Sequence, residues 1–183
     1  MSLLGRRELL ETLGELDEEL KILNVRGEVF IVRGAAMAIA YDTRRSTADV
    51  DAVFVPSSEV RTAASRVAER MNLEPDWLND GAKAFLPGVD ENQIGVYEGQ
   101  NLSVAAASPQ YLLAMKLMAS RVERDQDDIR ELYKLCGLTT AEQGLDLLVS
   151  YYPSRRILPR VQFLLQEMFP EGNEKSGDTG LSR

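Results

Sequence analysis

The chain has 183 residues, 21 Lys plus Arg against 29 Asp plus Glu for a net charge of −8, one cysteine and no histidine. Without an imidazole, Ser-His-Asp and Cys-His nucleophilic chemistry, His-ligated zinc and histidine proton shuttles are excluded, so proton transfer falls to carboxylates, Lys or Tyr. The lone Cys136 can form no internal disulfide, and the acid excess argues against a general nucleic-acid-coating role, which rests on clustered Lys and Arg.

Forty-four per cent hydrophobic content over this length suits one globular domain with a helical appendage. The N-terminus turns charged before any apolar stretch of signal-peptide length, and no later run approaches the ~20 residues that span a bilayer. A soluble, cytoplasmic protein is expected.

Leu9, Leu10, Leu13, Leu16, Leu20 and Leu23 recur at helical spacing across residues 7–24. Glu28–Val32 is short, β-branched and aromatic, and reads as the first strand; Gly34 turns it into a helix over Ala35 to about Asp42. Ala48–Val55 has the content of a second strand, stopped by Pro56. Ser57 or Ser58 caps a helix through Val60, Ala63, Ala64, Val67, Ala68 and Met71, long enough to cross between strands.

Residues 73–93 look irregular, with Trp77, Asn79-Asp80-Gly81 and Pro87-Gly88 as loop punctuation. Short strands are predicted at 94–97 and 101–106 around the turn Glu98-Gly99. From Ser108-Pro109 onward the pattern turns helical, with one helix to about Val122 and another over Asp125–Leu135 closed by Gly137. A third follows from Thr139 or Thr140 to about Tyr151, and a fourth over Arg155–Phe169 carries an internal Pro159. The fold class expected is α+β or α/β: a small mixed β-sheet domain over 1–107 with flanking helices, a helical region over 108–170 packed on it, and a polar, disordered tail over 171–183.

The chemistry centres on Asp49-Val50-Asp51. Side chains alternate across a strand, so the two carboxylates project from one face, close enough to share a cation. Each opposes the other's ionisation, and hard oxygen ligands favour Mg²⁺ or Mn²⁺ as the remedy. Gly34, 15 positions upstream, lets a phosphate approach a helix N-terminus whose free N–H groups attract anions. A lone D-x-D or a lone strand-ending glycine is usually structural; both together, with the acids set in an apolar strand, favour a metal and phosphate site.

On these residues the stretch VFIVRGAAMAIAYDTRRSTADVDAVF resembles the first motif of the polymerase-β-like minimal nucleotidyltransferases, and is closest to their AbiEii-like toxin branch and its uncharacterised relatives. Arg45-Ser46-Thr47, Trp77-Leu78-Asn79-Asp80 with Lys83, and Leu113-Ala114-Met115-Lys116 leading to Arg121 and Arg124-Asp125-x-x-Asp128 carry the same resemblance, which spans about residues 28–135. It implies binding of a nucleoside triphosphate with Mg²⁺ or Mn²⁺ and transfer of a nucleotidyl group to an RNA or protein acceptor, with a cognate antitoxin as a further partner. Carried over, Asp49 and Asp51 are the metal-holding catalytic carboxylates, Gly34 and Ala35 cradle the phosphates, and Lys116, Arg121 and Arg45 supply positive charge, Lys116 also being placed with the catalytic residues.

Two features depart from that pattern. The family's turn usually carries two small residues, Gly-Gly or Gly-Ser, whereas here Arg33 precedes Gly34 and Ala35 follows, so the hydroxyl donor is missing; and the later strand LSVAAAS has no third acid, leaving Asp80, Glu98, Asp125 and Asp128 as candidates. A catalytically inert binding or regulatory module on the same fold is therefore the alternative expectation.

Overall fold

The structure, a computed structural model, describes residues 3–41, 46–119, 125–153 and 157–170. The sheet part consists of α1 (Arg6–Ile22), β1 (Gly27–Ile31), α2 (Arg33–Ala40), β2 (Val50–Val55), α3 (Ser57–Met71), β3 (Leu78–Asn79), β4 (Ile94–Glu98) and β5 (Leu102–Ala106). The helical part consists of α4 (Pro109–Ala119), α5 (Gln126–Cys136), α6 (Ala141–Tyr151) and α7 (Pro159–Met168). No described helix is long and apolar enough to cross a membrane.

The five strands lie in the order β3-β2-β1-β5-β4. Central β1 is antiparallel to β2, with Phe30 opposite Val53, and parallel to β5, with Phe30 opposite Ala105. β2 and β3 run parallel, joined by the α3 crossover, while β4 and β5 form an antiparallel hairpin whose register shifts between Gly95 and Tyr97. This mixed sheet with flanking helices is the α+β architecture expected from the sequence.

The alternation of each strand sorts its residues between two unlike faces. Val29, Ile31, Val50, Ala52, Phe54, Leu102, Val104 and Ala106 are buried. They face α1 and α3, and Gly27 leaves room there for Leu20 and Val60, since a Cβ on it would lie 2.9 Å from Leu20 Cδ1. Glu28, Phe30, Asp51, Val53, Val55, Ser103 and Ala105 form the other face and keep partial or full exposure. The helical part covers this second face only in part: Phe30 meets Tyr111 of α4 edge-on at 5.6 Å, and Tyr111 meets Tyr151 of α6 in the same way at 5.8 Å.

Several boundaries differ from expectation. β2 begins at Val50, one residue after Asp49, because Thr47 pairs across to Leu4 and its hydroxyl bonds Asp49 O at 2.8 Å, bending the chain before the strand starts. α2 begins at Arg33, not Ala35. The supposedly irregular segment 73–93 contains β3 and a 3-10 turn at Lys83–Phe85, anchored by the buried Trp77, whose indole N–H donates to Ala64 O at 2.9 Å. Pro159 is the first residue of α7 and not internal to it, the position where its missing N–H removes no helical bond. Thr140 caps α6 through a full capping box with Gln143, and Gly137 ends α5 at φ +67°. The tail expected over 171–183 lies outside the described residues.

Candidate metal and nucleotide site

The acid pair sits where β2 leaves its bend, beside the β1–α2 turn. Val32 N–H donates to Asp51 O at 2.9 Å, so β1 and β2 stay paired up to the point at which α2 begins. Gly34 approaches Thr47 so closely that a Cβ on it would stand 3.5 Å from Thr47 Oγ1, ordinary contact, and Thr47 in turn holds Asp49's carbonyl. The structure thus brings Gly34, Thr47, Asp49 and Asp51 together. Ala35 follows in the first turn of α2 and is buried, while Arg33 and Gly34 are exposed and no side chain caps that end of the helix. Its first N–H groups are therefore left for solvent or an anion.

Arg33 departs most from what the sequence conveys. It occupies the left-handed region at φ +57°, where a residue with a Cβ is strained, and its Nη1 lies 3.4 Å from each oxygen of Asp51. Asp49 is exposed and accepts a hydrogen bond from the Asn79 amide at 3.4 Å. Asp51 is 15% exposed, and its pKa is raised above the usual carboxylate value: burial is the main cause, Asp49 adds to it, and Arg33 opposes it.

An anionic pair whose inner member resists ionisation suits a divalent cation. Mg²⁺ is commonly held by one or two carboxylates, with water and substrate phosphates completing its shell. Asp49 and Asp51 match that donor set. Among the described residues no third Asp, Glu, Cys or His joins them. The four candidates for a third acid are engaged elsewhere: Asp80 binds Arg61, Glu98 binds Arg26 and Ser103, and Asp125 and Asp128 both bind Lys116.

Lys116 accordingly lies at the junction of α4 and α5, its ammonium 3.0 Å from Asp125 Oδ1 and 2.5 Å from Asp128 Oδ2, and has no described contact with the acid pair. Arg45 and Arg121 lie outside the described residues. Thr47 and Asn79 enter the sequence reading only inside stretches that carry the resemblance, with no role assigned, and the structure places both against Asp49. Asn79 reaches Asp49 only because β3 pairs in parallel with β2, and a two-residue strand leaves no periodic signal.

The mixed sheet thus presents a carboxylate pair beside the open N-terminus of a helix. The chain belongs to the family described as "Nucleotidyltransferase of unknown function (DUF6036)", whose model matches residues 11–143. No curated protein and no solved structure matches it.

Proposed function

We propose that the chain is a metal-dependent nucleotidyltransferase that uses a nucleoside triphosphate and an RNA or protein acceptor. The observation that carries this reading is the Asp49–Asp51 pair set against the uncapped start of α2. With Mg²⁺ or Mn²⁺ bound, the site gains a Lewis acid that organises the triphosphate and steadies its developing charge. Asp49 and Asp51 hold that cation, and Asn79 orients Asp49. The N–H groups at Gly34 and Ala35 face the phosphates. The acceptor hydroxyl oxygen bonds to the α-phosphorus, the bond to the β-phosphate oxygen breaks, pyrophosphate leaves and the hydroxyl proton passes to solvent. The sheet face that carries Asp51 also holds a shallow groove, lined by Phe30, Val53, Ser103 and Ala105 further along the strands, on which an acceptor end can rest.

The resemblance to the AbiEii-like branch supports a toxin with a cognate antitoxin in the cytoplasm as the finer form of this proposal. The second reading, an inert module on the same fold, is favoured by two observations: Arg33 already pairs with Asp51, and among the described residues no third acid stands by. Incubation with labelled nucleoside triphosphates, Mg²⁺ and total RNA or protein separates the two, since only the enzyme transfers label.

Binding is tested more directly by thermal unfolding. At a ligand concentration 100 times Kd, a triphosphate with Mg²⁺ stabilises the fold by about 2.7 kcal/mol, or roughly 5–10 °C in Tm for a chain of this size. Wild type is expected to show this shift and the Asp49→Ala, Asp51→Ala double variant to lose it. A wild-type protein with no shift in either Mg²⁺ or Mn²⁺ overturns the reading.

A further inference from the structure

Resting on that reading of the site, we infer that Arg33 is a displaceable counter-ion: it holds Asp51 while the cation is absent, and moves to the nucleotide's phosphates when a divalent cation takes its place.

Four observations converge on this. The contact is loose, with one guanidinium nitrogen 3.4 Å from both Asp51 oxygens, whereas charge-assisted N–H···O bonds are usually ~2.7–2.9 Å. The other guanidinium nitrogens engage no described residue, and the arm is 44% exposed while its partner is 15% exposed. The residue is also the first of α2, so the arm springs from the helix end whose N–H groups face an incoming phosphate. Finally, its φ of +57° is a backbone state that glycine adopts freely, and a long cationic side chain is kept there against that preference.

Electrostatics decides which cation prevails. A divalent ion coordinated at ~2.1 Å carries twice the guanidinium's charge at less than two thirds of its distance, so at equal dielectric its attraction to Asp51 is roughly three times greater. Once it is bound, the same ion repels the guanidinium, and the nearest strong acceptors for a planar five-donor group are the triphosphate oxygens. Arg33 thereby penalises a cation that arrives alone and rewards one that arrives with its nucleotide. It supplies the donor that the turn lacks for want of a serine.

The test uses Mn²⁺ alone as the first probe, titrated into the full chain and followed by electron paramagnetic resonance, in wild type, Arg33→Gly and Arg33→Ala. Glycine suits the backbone at this position, so the Arg33→Gly protein is expected to fold. Both variants are expected to bind free Mn²⁺ about 3- to 10-fold more tightly than wild type, the size of effect that a removed partly exposed ion pair plus its repulsion provides. In saturating Mn²⁺ they are expected to bind a nonhydrolysable triphosphate about 3- to 10-fold more weakly. Unchanged or weaker Mn²⁺ binding in both variants overturns the inference while leaving the metal site standing, and so does unchanged triphosphate affinity. Absence of Mn²⁺ binding in all three proteins overturns the metal reading itself, and the inference with it.

Discussion

At the scale of single residues, Arg33 and Asp51 store cost in the fold. A residue with a Cβ in the left-handed region loses about 1 kcal/mol relative to glycine, and an exposed ion pair returns only about 0.2–1 kcal/mol. Arg33→Gly is therefore expected to leave stability unchanged or raise it, with Tm up by as much as ~2–4 °C in differential scanning calorimetry. Asp51 gives a sharper test through its pH dependence. A carboxyl whose folded pKa is raised binds its proton more tightly folded than unfolded, so stability falls as pH rises through that range. Asp51→Asn, which is neutral at every pH, is expected to be the more stable protein at pH 7 without metal, and the difference should shrink to nothing in acid, where wild-type Asp51 is protonated. A wild-type advantage at pH 7 would show that the Arg33 pair outweighs burial. Of this pair only half was legible in the sequence. The alternation in Ala48–Val55 puts two acids on one face, but backbone strain at Arg33 and the reach of Asn79 depend on tertiary geometry that no local pattern encodes.

At the scale of elements, short polar contacts fix how helices meet the sheet. Glu19 on α1 is buried yet accepts from Arg70 at 2.7 Å and Arg66 at 3.4 Å, both on α3, so Glu19→Ala is expected to cost about 1 kcal/mol in urea unfolding and Glu19→Gln less. Asp17, also on α1, takes the backbone N–H groups of Asn101 at 2.7 Å and Gln100 at 3.3 Å, pinning the β4–β5 turn. A Cβ on Gly99 would collide with that carboxylate, so the glycine marks a close approach and not a positive φ. Gly144 on α6 is tighter still: a Cβ there would overlap Tyr133 Oη, a buried hydroxyl with no partner among the described residues. Gly144→Ala is expected to destabilise by about 2–3 kcal/mol. Adding Tyr133→Phe should recover only part of the loss, because it removes an unpaired buried hydroxyl and the closest overlap but leaves the ring carbon Cζ 2.7 Å from the new methyl. The helices themselves were readable from apolar spacing, caps and glycine stops. Pro159 was misjudged because apolar residues on both sides of it, such as Ile157 and Val161, extend the helical pattern backward, and only the φ-locked ring reveals where the helix begins.

For the whole molecule, the sheet and the helical part share one apolar cluster that runs from Leu4 to Leu165. Polar contacts cross the seam as well: the buried Asp90 accepts from Ser108 N–H at 2.7 Å and its hydroxyl at 3.0 Å, and Tyr111 of α4 donates to Gly88 O at 2.8 Å. Residues 1–107 alone would expose Phe30 and the seat of Tyr111. The 183-residue chain is thus expected to unfold in one transition by both circular dichroism and tryptophan fluorescence, and a 1–107 fragment to lack a cooperative transition. Two separate transitions in the full chain would show that the parts fold independently. The order β3-β2-β1-β5-β4 also governs how the molecule meets others. One border is a strand of two residues and the opposite border is broken by the shift at Gly95 and Tyr97, so neither presents a long row of free peptide groups on which a foreign strand could template itself. Such a sheet resists edge-to-edge aggregation, and the acceptor of the proposed reaction would meet it across the face that carries Asp51, not by extending the sheet.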